Sequence, residues 1–460
     1  MDGNIPVKLK DNQWYANAYE FVEDEELLSD YSERKLPISC WEAIKEVRDI
    51  NELIAKHKVV TIPSRNTFKN HEIFTRNNDK LFTNNWVGVI SKKSNNGQNY
   101  RVEIHSRFDS GEKQYFLLYL LCTVYGFNIF DISINSENES DYIVICIVLF
   151  LHSLEEAFGD GLYKEYVRNK YNDFDFKGAF DVNRHIKQNN PFMGRTAYSV
   201  REFSYDNEIL CLIRQTVDFI YDNYTELLKG YVGKSSLLYE IAEVITTATP
   251  SYRININYAE SITCGKPITH PMFEKYEVVR KLAIMILGEN GQNIFDNSDE
   301  DALGLLVDIS WLWEEFVSIK LLNNYNYRHL LTDGSKGALR WSTGKCWYPD
   351  FIENYDEGER RKVLDAKYKY WNDNNDDVHQ LLSYLFLTGG ELCGIIYPSE
   401  EERVAKSKVL LPYNVFYDEE VKLYKLPIYI PMSECDSYSD YWNIIEKSVV
   451  KWREDFEKIK

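Results

Sequence analysis

Apolar and polar residues alternate differently in three parts of the chain. Residues 1 to about 165 have a mixed pattern: 39–54 reads as a helix, and 58–62 as a short strand. Turn signals at Asn84-Asn85 and Asn95-Asn96-Gly97 cut 79–101 into short strands. Residues 113–125 have apolar positions at helical spacing, and 141–153 form a second strongly apolar element. Residues 166–206 are loop-rich, with strand-like pieces at 178–186 and 195–202. From Asn207 the pattern turns helical. Leu210, Ile213, Val217 and Ile220 share one face, because steps of three and four residues return to the same side of a helix. Further helices are predicted over 235–247, 271–288 and 301–322. From residue 348 the order changes again: strands at 348–352 and 362–368, a helix over 377–387, strands at 392–397, 407–411 and 426–430, and a closing helix over 438–460.

This reading predicts a multidomain α/β protein. An N-terminal mixed α/β domain spans 1–165, a middle region that is loop and strand and then helical spans 166–300, and a last domain spans 301–460. In that last domain helix, strand, strand, helix and strand follow one another, the core order of the restriction-endonuclease-like fold. A chain of 460 residues exceeds what one hydrophobic core usually serves, which agrees with several domains.

Composition narrows the function classes. Apolar residues make up 44%, and 34 Tyr, 23 Phe and 10 Trp are more aromatics than disorder tolerates. The longest apolar run, 142–151, is too short to span a bilayer. The N-terminus, MDGNIPVKLKDNQWY, has no apolar signal core. A soluble, cytoplasmic protein without a membrane partner is expected. The eight cysteines form no CxxC pair and the histidines no HExxH, so buried reduced thiols are expected rather than a zinc or redox centre. There is no GxxxxGK[ST] loop, so the chain is not itself a P-loop motor. The net charge of −19 argues against a protein that grips DNA unaided, although a local basic groove is compatible with it. The plain alternative is that acidity keeps the protein soluble.

Chemistry concentrates in three segments: WYPDFI, VLDAKYKY and HQLLSYLF. They place Asp350 at the edge of one apolar strand, Asp365 and Lys367 on the next, and Gln380 at the start of an amphipathic helix. Phosphodiester hydrolysis must stabilise charge on the equatorial oxygens and produce a nucleophilic hydroxide, and a divalent metal held by carboxylates does both. Mg²⁺, with Mn²⁺ as an alternative, takes one or two carboxylates and keeps part of its water. Positions i and i+2 of a strand face the same way, so Asp365 and Lys367 sit side by side with Ala366 opposite. A lysine there orients the attacking water or offsets transition-state charge. Glu314, in WLWEEFV, lies on the preceding helix as a third candidate ligand. Glu315, one position on, is expected to face elsewhere. Against this stands the reading of two strands with solvated ends. Trp347, Tyr348, Tyr368, Tyr370 and Trp371 are either base-stacking rings or core. Lys362, Lys369, Arg360 and Arg361 are either phosphate contacts or a solvated edge.

With these residues in hand, the chain resembles the McrC-type nuclease subunits of the McrBC restriction systems, the LlaJI-like relatives included. WLWEEFV, WYPDFI, VLDAKYK and HQLLSYLF are similar to the family's helix, its two metal-site strands and its Gln-x-x-x-Tyr helix. RVEIHSRFDSGEKQYFLLYLL and PFMGRTAYSVREFSYDNEI are similar to segments further upstream. The resemblance covers the chain from about residue 100 and is strongest in the last third. It implies a PD-(D/E)xK endonuclease of a defence system with Asp350, Asp365 and Lys367 as the catalytic set. Glu314 and Gln380 are supporting residues, with Asp350, Asp365 and Glu314 around the metal. It also implies a partner, an McrB-like hexameric AAA+ GTPase that delivers double-stranded DNA and on which the N-terminal part docks. Cutting both strands implies two nuclease copies. Where the family often has Thr-Asp, this chain has Pro349-Asp350, the more general nuclease form, which leaves the subfamily open. Two other readings stay open: a non-cleaving adaptor that stimulates a partner NTPase, and a structural α/β protein whose acids are solvated.

Overall fold

The computed structural model describes residues 6–17, 34–36, 44, 59–63, 73–77, 80–93, 99–109, 113–127, 141–229, 235–259, 267–288, 302–329, 339–340, 346–347, 349–353, 362–371, 375–388, 390, 392–403, 405–411, 421–432, 435 and 437–459. The chain divides into two compact units, Met1–Ile145 with Gly304–Lys460, and Cys146–Leu303. The first and last parts of the chain thus build one unit, and the middle is an insertion into it. The helix expected over 39–54 lies outside the described residues apart from Ile44, and so does the turn at 95–97.

The N-terminal part of the first unit carries β1 (Pro6–Lys10), β2 (Trp14–Asn17), β3 (Arg34–Leu36), β4 (Val59–Ile62), β5 (Phe74–Asn77), β6 (Lys80–Thr83), β7 (Trp86–Lys93), β8 (Asn99–His105) and helix α1 (Tyr115–Tyr125). Helix α2 (Asp141–Gly159) crosses the unit boundary. Its apolar face continues past the 142–151 run, so over Tyr142–Gly159 it is long and apolar enough to cross a membrane by length and composition; 72% of that stretch is buried inside the structure.

The inserted unit contains β9 (Glu165–Asp173), β10 (Ala179–Phe180), α3 (Val182–Gln188), β11 (Thr196–Ser204), α4 (Glu208–Asn223), α5 (Thr225–Lys229), α6 (Ser235–Ala248) and α7 (Glu274–Gly288). Two expectations change here. The loop-rich 166–206 is in fact an antiparallel sheet in which β9 and β11 pair over their whole length, from Thr196 with Asp173 to Ser204 with Glu165. Its strands are half-buried or exposed over most of their length, so they lack the apolar alternation of a core strand. The piece 178–186, expected as a strand, is mostly helix α3. Asp181 caps it by accepting the Arg184 N–H at 3.1 Å.

The chain returns to the first unit through β12 (Ala302–Asp308), then α8 (Ile309–Phe316), β13 (Tyr327–His329), β14 (Leu339–Arg340), β15 (Cys346–Trp347), β16 (Phe351–Glu353), β17 (Lys362–Ala366), α9 (Asn375–Thr388), β18 (Leu392–Ser399), β19 (Lys406–Leu411), β20 (Val421–Tyr429) and α10 (Tyr438–Glu457). The single helix expected over 301–322 is a strand followed by a helix. Asp308 makes the break, its carboxylate accepting the N–H groups of Ser310 and Trp311.

Strand β12 enters the N-terminal sheet, whose order is β1-β8-β7-β12-β4, with β12 parallel to β4. Two glycines permit the close approach of β7 and β12. A Cβ on Gly88, which has φ +138°, would stand 2.0 Å from the Leu305 carbonyl oxygen, and one on Gly304 would stand 2.7 Å from that of Val89. The C-terminal sheet has the order β13-β16-β17-β18-β20-β19, with β17, β18 and β20 parallel. Strands β17 and β18 are buried almost throughout, which fits the near-continuous apolar runs of a central parallel strand. Helix α9 covers them, packing Leu381, Tyr384 and Leu385 against Val363, Cys393 and Ile395.

Candidate active site

A carboxylate inside a buried strand is costly unless it has a partner or a task. Asp365 is such a residue, fully buried on β17 in register with Ile395 of β18. Residue 366 ends the strand, and the side chain of Lys367 turns back so that its Nζ lies 2.7 Å from Asp365 Oδ2. The same ammonium donates to Gln380 Oε1 at 3.2 Å. Gln380 Nε2 in turn donates to the Tyr384 hydroxyl at 2.7 Å, one turn along α9. The helix thus fixes the lysine head through an amide whose far side is itself held.

Asp350 lies in the bend before β16, and its Oδ2 accepts the backbone N–H of Ala366 at 2.8 Å. Burial, followed by the negative charges of Asp365 and Glu314, holds its carboxyl well above the ordinary aspartate range, and Lys367 only partly opposes this. Burial pulls the Lys367 ammonium down, but Asp365 and Asp350 outweigh it and keep the group above the usual lysine range.

The structure therefore brings Asp350, Asp365, Lys367 and Gln380 together. Glu314, on α8, acts on Asp350 as a charge and lies 3.7 Å from His329 Nε2. Glu315 does not face elsewhere: it is the more buried of the two, and its Oε1 lies 3.8 Å from the other ring nitrogen of His329. His329 stands on β13 opposite Phe351 and packs its ring on that phenyl. Sequence reading missed it, because a lone histidine between Arg328 and Leu330 belongs to no ligand spacing or motif that would mark it.

The donor set suits a hard divalent cation. Among the described residues two buried carboxylates, Asp350 and Asp365, face Lys367 beside the amide oxygen of Gln380. Apart from that lysine, neither Asp365 oxygen meets a hydrogen-bond donor among the described residues. Among the described residues no group of three or more His, Cys, Asp or Glu side chains is close enough to hold one ion. Two aspartates, rather than three acids, are what the arrangement offers.

The neighbouring candidates divide. Tyr368 is buried and Trp371 packs on Tyr397, so both belong to the core, whereas Tyr370 keeps 45% of its surface exposed. Lys362 pairs with Glu353, and Lys369 with Asp377. Tyr348, Arg360, Arg361 and the side chain of Trp347 lie outside the described residues.

Residues 81–398 match the model of a family described as McrBC 5-methylcytosine restriction system component. No curated protein matches the chain. Among solved structures, it is similar to the refined half-complex from a tetradecameric assembly of Thermococcus gammatolerans McrB AAA+ hexamers with bound McrC. That likeness has 15% identity and a TM-score of 0.43, and covers 97% of this chain and 100% of the other. It is also similar to the cryo-EM structure of the Thermococcus gammatolerans McrBC complex, at 17% identity and a TM-score of 0.28, over 71% of this chain and 90% of that one.

Proposed function

We propose, from the premise that this chain belongs to the McrBC 5-methylcytosine restriction system component family, that it is the nuclease subunit of such a system, an McrC-type PD-(D/E)xK endodeoxyribonuclease. Its substrate would be double-stranded DNA. The observation that carries this reading is Lys367 Nζ held between Asp365 Oδ2 and Gln380 Oε1, beside a second buried aspartate.

Asp350 and Asp365 would hold Mg²⁺ or Mn²⁺, with Glu314 as a more distant third acid. The ion would supply Lewis-acid stabilisation of phosphoryl charge and lower the pKa of a water. The residues of the chain set up the rest. The Ala366 N–H and the β16–β17 pairing fix where the Asp350 carboxylate points. Because the two aspartates keep Lys367 protonated, it acts as a cation and donor toward the scissile phosphate or attacking water and not as a base. Gln380 prevents that ammonium from collapsing onto Asp365 alone.

The net charge of −19 favours DNA delivery by a partner. We assign that role to an McrB-like AAA+ GTPase hexamer. The inserted unit offers a surface for a protein of this kind. Phe174, Ile186, Phe192 and Met193, around the β9–β11 sheet, are between 60% and 77% exposed, far more apolar area than a solvated loop needs. Two copies of the nuclease would cut both strands.

The test is Mg²⁺-dependent plasmid cleavage, with and without the cognate NTPase, by wild type and Asp365→Ala. Cleavage that requires the partner and disappears in the variant supports the proposal. NTPase stimulation by both proteins with cleavage by neither would leave the adaptor reading.

A further inference from the structure

The loop after β8, His105–Asp109, lies in the N-terminal part of the first unit, yet its contacts reach the segment that carries Lys367. Ser106 Oγ and the Tyr368 hydroxyl are 2.7 Å apart and both buried. The Arg107 guanidinium lies 4.7 Å from the centre of the Tyr368 ring. The Tyr370 hydroxyl donates to the Arg107 carbonyl oxygen at 3.2 Å. Phe108 packs on both rings, with centroids 5.3 Å from Tyr368 and 4.6 Å from Tyr370.

The loop is itself rigidly held. Asp11, fully buried in the turn after β1, accepts the Arg107 backbone N–H at 2.6 Å and the guanidinium at 2.6 and 3.1 Å. The Asp11 N–H closes the turn by donating to the His105 carbonyl oxygen. The Phe108 N–H donates to Ser106 Oγ, and the Phe116 N–H, in α1, to Asp109. On the other side, Lys367 is the residue at which the chain leaves β17. Its N–H still donates to Ile396, while its carbonyl already accepts the Lys369 N–H in a tight bend. With Ala366 fixed in the sheet and Tyr368 fixed by the loop, the backbone direction at Lys367 is determined from both ends.

We propose that Ser106, Arg107 and Phe108 are positioning residues for Lys367, acting through Tyr368 and Tyr370, and that Asp11 holds them in place. The inference rests on the reading of Asp365 and Lys367 as a nuclease centre and extends it to a part of the chain that carries no catalytic motif. Misplacing a reacting group by about 1 Å costs up to about 10²-fold in rate, so the clamp acts on turnover and not on DNA affinity.

The experiment uses the full chain with its NTPase partner and measures Mg²⁺-dependent cleavage by Ser106→Ala, Tyr368→Phe, the double variant, Tyr370→Phe and Asp365→Ala, with a thermal midpoint for each. The expected result is a fall in kcat of about tenfold or more for Ser106→Ala and Tyr368→Phe, with KM for DNA unchanged. The double variant should be no slower than the slower single one, since both remove the same contact. Tyr370→Phe, at a half-exposed position, supplies the same kcat readout with the least risk to folding. A purely packing role predicts lower midpoints with wild-type kcat per folded molecule, and that result overturns the clamp. Wild-type cleavage by Asp365→Ala would mark the failure of the nuclease-site reading itself, and the clamp would fall with it.

Discussion

The Asp350 carboxylate accepts the backbone N–H of Ala366, the residue between Asp365 and Lys367. The first acid is thereby tied to the strand that carries the second acid and the lysine, whatever the intervening residues do. A side chain that holds a strand end in this way has a structural and a chemical task at once, and the two can be separated by substitution.

Asp350→Asn keeps an oxygen for the Ala366 N–H and removes the charge. Asp350 has its pKa raised in the folded state, first by burial and then by Asp365 and Glu314, well above the ordinary aspartate range. The folded protein then binds that proton more tightly than the unfolded chain does. Its contribution is favourable below the unfolded value and is lost as pH rises through the folded one. The metal-free Asn variant should therefore melt higher than wild type at neutral pH, at about 2–4 °C per kcal/mol recovered, and the gap should close on acidification. Added Mg²⁺ should raise the wild-type midpoint and leave the variant unmoved. Calorimetry over a pH series decides it, and a lower midpoint for the variant at neutral pH contradicts the prediction.

Lys367→Ala removes the cation that, among the described residues, faces Asp350 and Asp365. Cleavage should fall by about 10²–10³-fold, the usual loss when one preorganised donor to developing charge is deleted. Lys367→Arg should recover little, because a planar fork does not replace a point charge held by Asp365 and Gln380. Single-turnover cleavage of labelled DNA measures both, and near-wild-type rates for Lys367→Ala would rule out this role.

Gln380→Ala should cost about 10–100-fold, the range for a group that orients another at a metal site. Tyr384→Phe, one link further out, should cost less than Gln380→Ala. An equal or reversed order of the two rates would show that the amide is not the link that matters.

That Asp350, Asp365, Lys367 and Gln380 come together was legible in the sequence for a simple reason. Asp365 and Lys367 stand two positions apart at the end of an apolar strand, close enough to meet although the strand stops at Ala366, and the helix that follows a parallel strand returns across it, so its polar positions near the site stand out against Leu381 and Leu385. The parts that could not be read have equally physical causes. Strand β12 merges with α8 into one apolar run, and only the cap at Asp308 separates them. The β9–β11 sheet is largely solvated and so resembles loop. Asp11 and Arg107 lie 96 residues apart, and no local pattern announces a pairing over that distance.

Phe192→Ser with Met193→Ser changes two side chains that are 65% and 77% exposed. Solubility and thermal midpoint should be unchanged, since little burial is lost. Stimulation of the partner NTPase should drop at least about tenfold if a hydrophobic hot spot is removed. Titration of the NTPase with each protein reads this out, and full stimulation by the variant places the docking surface elsewhere.

Strand β12 also has a consequence for how the protein is made. It lies between β7 and β4, so β4 is not joined to the rest of the first sheet until about residue 308 has left the ribosome. The strands beside the His105–Asp109 loop, β1, β8 and β7, are made earlier and neighbour one another without β12. The strands of the C-terminal sheet are synthesised later still. If the C-terminal centre is the nuclease proposed above, a chain interrupted before residue 350 would lack Asp350, Asp365 and Lys367 and could not cut the DNA of the cell that makes it.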